Sequence, residues 1–231
     1  MSLVFNEFSN NKVENYFSFF ELLSESEIEL IKQKSNIVSY QKGNNIFLQQ
    51  TRTSHIMYIK SGLVKIYKEG RMGKKIILNL ETSGSFLGLM SVFGKEIHEY
   101  SASAIEPTEI LFIDVNSFKQ VLEQNGKFAS SLIHILSLTG LYLFDKLLAQ
   151  THKQLPGKIA DVLLYFSEVI YKSNKFYFPF TRRELAELAG TTKESFIRTL
   201  TEYKNDKIIE INGSEIEIKS MKIVKTLSEL G

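Results

Sequence analysis

Late in the chain, the stretch "TRRELAELAGTTKESFIRTL" (Thr181 to Leu200) gathers Arg182, Lys193, Glu194 and Arg198 on two short helical patterns separated by Gly190. Thr181 and Glu184 stand in the relation of a capping box, which predicts a helix beginning after Thr181. Gly190 closes that helix, because a tight turn needs a residue that tolerates a left-handed backbone. Thr191 and Thr192 are both suited to cap the second helix. In that helix Phe196, Leu200 and Tyr203 recur at i, i+4 and i+7 as the buried face. Glu194, Arg198 and Thr201 repeat the spacing on the opposite side, with Lys193 beside them at the helix start. The chemistry open to such a face is base recognition. Arginine takes a guanine edge in two hydrogen bonds, and glutamate accepts from a cytosine amino group. Polar groups at the exposed N-terminal end of a second helix match the way a recognition helix reaches base edges. A three-helix scaffold that touches no DNA is the plainer account of the same residues.

The residues after the second helix favour base recognition. "DKIIEINGSEIEIKS" places Asn212-Gly213 between alternating isoleucines, a hairpin signal. A helix-turn-helix followed by a hairpin is the winged variety. The whole chain carries a net charge of only +2, so a nucleic-acid surface must be a local patch rather than a global field. Residues 172–204 hold seven Lys and Arg against four Glu, a local surplus of three.

These elements need a body to hold them. The 231 residues suffice for one large domain or two small ones. Apolar residues at 43% and charged ones at 23% describe a soluble globular balance. With no cysteine, disulfides, thiolate catalysis and a cysteine-held iron-sulfur cluster are excluded. The N-terminus lacks a signal-peptide pattern, and no run approaches the roughly 18 apolar residues that span a bilayer. A cytoplasmic protein without a membrane partner is expected.

Ser24 and Glu27 form a capping box for an amphipathic helix. From Asn36 to Asp114, short alternating or β-branched runs ("NIVSY", "NIFLQQ", "HIMYIKSGLVKIYKE", "KKIILNL", "EYSASA", "TEILFID") are separated by turn material that includes "SGSFLG". This spacing predicts an antiparallel barrel or roll. "VNSFKQVLEQNG" reads as a helix ending at Gly126. "KFASSLIHILSLTGLYLFDKLLAQTH" then runs for about seven turns without proline. Its apolar residues, Leu132 to Leu148, occupy nearly every side, so one face has the β-domain to cover and another needs a second subunit. Pro156 suits the first turn of the next helix, "PGKIADVLLYFSEVIY". The expected organisation is α+β: an N-terminal β-roll sensor with a preceding helix over residues 1–125, a long dimerisation helix and hinge over 126–153, and a winged helix-turn-helix over 154–231.

With these motifs in place, the chain from Phe17 to Leu230 resembles the Crp/Fnr superfamily of bacterial transcription regulators, named for the cyclic-AMP receptor protein. The resemblance is carried by "YQKGNNIF", "MYIKSGLVKIY", "GSFLG", "SASAIEPTEILFID", "GKIADVLLYF" and above all "TRRELAELAGTTKESFIRTLTEYKNDKIIE". It implies that Lys193, Glu194 and Arg198 read bases, that Thr181, Arg182 and Thr192 lie near phosphates, and that double-stranded DNA, a second copy of the chain and RNA polymerase are partners. Ile197 departs from a position that is small in the family.

The effector pocket departs further. Cyclic-AMP binders of the family carry Gly-Glu early in a phosphate cassette and Arg-Ser or Arg-Thr late. The matching stretch here, "GLMSVFGKEIHEYSASA", puts Leu89 in place of the acid and Tyr100 in place of the arginine, before Ser101. The hydroxyl pair that meets adenine falls on Leu143 and Phe144. A phosphodiester buried without a cation costs several kcal/mol, so the pocket around Leu87, Gly88, Leu89, Tyr100, Ser101, Leu143 and Phe144 has changed ligand or lost one. Lys95 is near in sequence, but in a loop where lysine is solvated. No cofactor is expected, since His55, His98, His134 and His152 stand alone without ligand spacing for haem. No phosphate loop, zinc-protease signature or nucleophile elbow marks an enzyme. A cyclic-nucleotide-responsive regulator with a divergent pocket, and a ligand-binding module that does not touch DNA, are the alternatives.

Overall fold

The computed structural model describes residues 20–70, 73 and 75–231. They fall into two compact units, one running to Gly140 and the other from Leu141.

In the first unit, α1 (Glu25–Gln33) starts at the Ser24–Glu27 capping box expected from the sequence. Eight strands follow: β1 (Ser35–Tyr40), β2 (Asn45–Phe47), β3 (His55–Ser61), β4 (Leu63–Glu69), β5 (Lys75–Thr82), β6 (Phe86–Leu87), β7 (Ser101–Ala104) and β8 (Thr108–Asp114). They form two antiparallel four-stranded sheets, ordered β1-β8-β3-β6 and β2-β7-β4-β5. Alternation along β3 shows why a roll forms. Successive side chains point to opposite faces of a strand. Met57 and Ile59 meet Val64, Ile66, Ala102 and Ile110 in one core. Ile56 and Tyr58 turn the other way, toward Phe118, Phe128 and Leu132.

Two elements differ from the sequence reading. "SGSFLG" is not turn alone, because Phe86–Leu87 pairs with Met57 and Tyr58 and a short helix, α2 (Leu89–Phe93), follows. Gly126 does not end α3 (Val115–Gln124). Asn125 caps it, and Gly126 opens the next helix. The asparagine does both tasks: its amide nitrogen donates to Leu22 O at 2.9 Å, and its oxygen accepts from Phe128 N at 3.0 Å.

The long helix, α4 (Gly126–His152), is one unbroken element of 27 residues. Taken whole it is long and apolar enough to cross a membrane, a property missed by counting uninterrupted apolar residues. Its first turns belong to the core of the first unit through Phe128 and Leu132. Farther along, Ile133, Leu141, Phe144, Leu147 and Leu148 are exposed in the single chain.

The second unit continues with α5 (Leu155–Leu164), opened by Pro156, which passes into a wider π-helical segment over Tyr165–Ile170. A half-buried ion pair joins the end of α4 to α5, with Lys153 Nζ 2.6 Å from Asp161 Oδ1; Ser228 donates to the same oxygen at 2.5 Å. β9 (Lys175–Tyr177), α6 (Arg182–Ala189), α7 (Lys193–Asn205), β10 (Ile209–Asn212), β11 (Glu215–Ile218) and α8 (Met221–Leu230) complete it. Its strands pair in the order β10-β11-β9. Ile159, Leu163, Phe166, Leu185 and Phe196 are fully buried in this unit. α8, unanticipated from sequence, packs on α5.

Candidate nucleic-acid interface

The local rules that set α6 and α7 operate as written in the sequence. Thr181 N donates to Glu184 Oε2 at 3.0 Å while Glu184 N donates back to Thr181 Oγ1 at 3.2 Å. Gly190 stops α6 in left-handed backbone at φ +67°, a region where a side chain is strained. Thr192 caps α7 by accepting from Ser195 N at 3.2 Å.

On α7, Phe196, Thr199, Leu200 and Tyr203 are buried. The Tyr203 hydroxyl donates to Pro156 O at 2.7 Å, tying α7 to the start of α5. Burial pushes that phenol's pKa up, and the charges of Glu202 and Asp161 add to the rise. With this face pinned, Lys193, Glu194, Ile197, Arg198 and Thr201 must face water, and all five are exposed. Arg198 lies 3.9 Å from Glu202, a loose surface pair that leaves its fork open. Ile197, 39% exposed, is an apolar side chain among these polar ones.

Beside this face stands the hairpin. Asn212 pairs with Glu215, so the loop residues are Gly213 and Ser214, one step later than the Asn212-Gly213 turn read from sequence. Gly213 alone takes positive φ (+62°), the pattern of a two-residue turn with glycine first. Arg182, half-buried at the first turn of α6, donates to Gly213 O at 2.7 Å and lies over the Phe178 ring. Burial pulls its pKa below the ordinary guanidinium value.

Of the residues expected at an effector pocket, Leu87, Gly88, Leu89 and Ser101 are buried and Tyr100 is partly exposed. Leu87 and Leu89 are packed into the two cores, and Met90 is exposed. Ser101 Oγ accepts from Gln49 N at 2.9 Å. The Tyr100 phenol is turned toward Ser91 and the Gly88 backbone; burial pushes its pKa up and the Glu81 charge adds to the rise. Lys95 is exposed and paired with Glu99 at 3.0 Å. Leu143 and Phe144 lie on the part of α4 that belongs to the other unit. His98 is buried and stacked on Phe47, ring centroids 3.9 Å apart. Among the described residues no group of three or more His, Cys, Asp or Glu stands at metal-binding distance.

A β-roll joined through a long helix to a winged helix-turn-helix is the architecture of a DNA-binding transcription regulator. Comparison with known proteins agrees. The cyclic nucleotide-binding domain family matches residues 37–125, and the Crp-like helix-turn-helix domain family matches residues 157–226. The Anaerobic regulatory protein of Bacillus subtilis is 25% identical over 211 residues, covering 84% of each chain. A CRP-like cAMP-activated global transcriptional regulator of Mycobacterium tuberculosis is 19% identical over 203 residues, covering 86% of this chain and 91% of that one. The structure of FixK2 from Bradyrhizobium japonicum superposes with a TM-score of 0.76 at 20% identity, over 84% of this chain and 96% of that one. The chain belongs to the Crp/Fnr family of transcription regulators.

Proposed function

We propose that two copies of the chain, paired through α4, read a two-fold symmetric DNA site with the outer face of α7, and that cyclic AMP is not the effector. The observation that carries the DNA reading is the division of α7: Phe196, Leu200 and Tyr203 are buried, while Lys193, Glu194 and Arg198 project into water. In this reading Arg198 meets a guanine edge and Glu194 a cytosine amino group. The exposed methyls of Ile197 suit a thymine methyl in the same groove. Lys193 at the helix start reads a base edge and in part contacts the backbone, and the caps Thr181 and Thr192 lie against phosphates.

Pairing through α4 is supported by its exposed stripe. Ile133, Ser137, Gly140, Phe144 and Leu147 follow the alternating four- and three-residue steps of a coiled-coil seam, apolar at its two ends and small at its middle. A two-fold axis along it sets two recognition helices to half-sites about 34 Å apart. The partners in this reading are DNA, a second copy and RNA polymerase, and the setting is the cytoplasm.

The effector reading rests on charge. By the resemblance, Leu89 and Tyr100 stand where a cyclic-AMP binder carries the acid that holds the ribose and the arginine that neutralises the phosphate; the Glu81 charge adds to the rise in the Tyr100 pKa, and Lys95 is paired with Glu99 at the surface. The match of residues 37–125 to the cyclic nucleotide-binding domain supports the shared scaffold and keeps a divergent nucleotide as the competing reading. Gel shift of genomic fragments against random competitor tests the DNA claim. Retention of a specific subset is expected, and equal retention of every duplex overturns it.

A further inference from the structure

A basic residue opening the first helix of a helix-turn-helix is ordinarily counted as a free phosphate contact, yet the Arg182 guanidinium is already engaged. One of its terminal nitrogens donates to the Gly213 carbonyl at 2.7 Å, across 31 residues of sequence. Its carbon lies 5.7 Å from the centroid of Phe178. Phe178 is a firm platform, since it is buried and its ring packs edge-on against Phe166 and Phe176. The same residue holds the hairpin a second time, because Phe178 N donates to Ser214 O at 2.9 Å. The two carbonyls of the two-residue turn are thus held by two groups outside the hairpin. Asn212, Gly213 and Ser214 are themselves exposed. Adjacent Arg183 offers the contrast, as it makes only a 3.2 Å surface pair with Glu187 one turn along its own helix.

We propose that Arg182 is a positioning residue that fixes the wing turn against the first turn of α6, so that wing and recognition helix are presented to DNA as one rigid surface. A planar guanidinium can stack on an aromatic ring and donate from its edge at the same time, whereas a lysine ammonium offers a point charge on a flexible stem. The purpose of this clamp rests on the DNA-binding reading. The clamp itself exists in the free protein and is testable there.

The experiment uses the full chain with Arg182→Ala, Arg182→Lys and Phe178→Leu. Amide hydrogen exchange at Ser214 and Glu215 without DNA is compared with exchange in α7. Both Arg182 variants are expected to speed exchange at the turn by about tenfold, the scale of a lost charge-assisted hydrogen bond, with α7 unchanged. Phe178→Leu, which alters no charge, is expected to act in the same direction. On DNA, the salt dependence of binding by Arg182→Ala is expected to keep its wild-type slope, since no phosphate contact is lost. Unchanged exchange at Ser214 and Glu215 in Arg182→Ala overturns the proposal. So does a slope lower by about one per subunit together with full rescue by Arg182→Lys, which is the signature of a phosphate contact. Failure of the wild-type chain to bind DNA would instead remove the DNA reading and leave the exchange result to judge the clamp.

Discussion

Substituting Phe144 by alanine tests the α4 interface where it is most apolar. Phe144 is 66% exposed in the single chain. Burying a side chain of this size completely contributes about 1.5–3 kcal/mol, so covering the exposed two thirds contributes about 1–2 kcal/mol. A two-fold interface contains the residue twice, which brings the loss to about 2–4 kcal/mol, roughly 30- to 700-fold in the dimer dissociation constant. Sedimentation equilibrium over nanomolar to micromolar concentration measures that constant directly. Leu147→Ala on the next turn of the stripe is expected to act similarly, while Arg198→Ala, on α7, is expected to leave dimerisation unchanged. A wild-type chain that stays monomeric at micromolar concentration with and without DNA, or a Phe144→Ala variant that dimerises with wild-type affinity, refutes the pairing.

Glu194→Ala should relax base choice at one position of each half-site, losing about 1–3 kcal/mol of discrimination in competition binding. Lys193→Ala should weaken binding broadly, with a smaller loss of base discrimination than Glu194→Ala, and lower the salt slope by up to about one per subunit. Titration calorimetry should show no heat with cyclic AMP, and DNA affinity should be the same with and without millimolar nucleotide; micromolar binding that tightens the DNA complex would overturn the pocket reading alone. His98 gives a pH dependence of definite sign. Burial holds its folded pKa below the ordinary 6.5, so as pH falls through that value the unfolded chain takes up a proton that the folded one does not. The wild-type melting temperature should therefore fall between pH 7 and pH 5, and His98→Leu should flatten that part of the profile; an equal fall in both proteins would assign it to other groups.

Much of the fold was legible because local rules and tertiary packing agree. The capping boxes at Ser24 and Thr181, the left-handed stop at Gly190 and the buried i, i+4, i+7 row on α7 each depend on residues close in sequence. Features set by distant partners were not legible. Asn125 displaces Gly126 as the end of α3 because it can bond Leu22 and Phe128 at once. The turn shifts to Gly213 and Ser214 through pairing in β10 and β11. Arg182 reads as one more basic residue until Phe178 and Gly213 are brought beside it. α8 has an amphipathic pattern of its own, with Val224 and Ser228 buried, but it comes after the hairpin without a side-chain cap to announce it.

In the proposed complex the outer face of α7 reads sequence. Sequencing the genomic fragments retained by the wild-type protein and by Arg198→Ala tests it most directly. Wild type is expected to enrich a two-fold symmetric motif with half-sites about one DNA turn apart, and Arg198→Ala to lose preference at one guanine of each half while still binding. Enrichment of the same motif by both proteins, or of no motif by either, contradicts it.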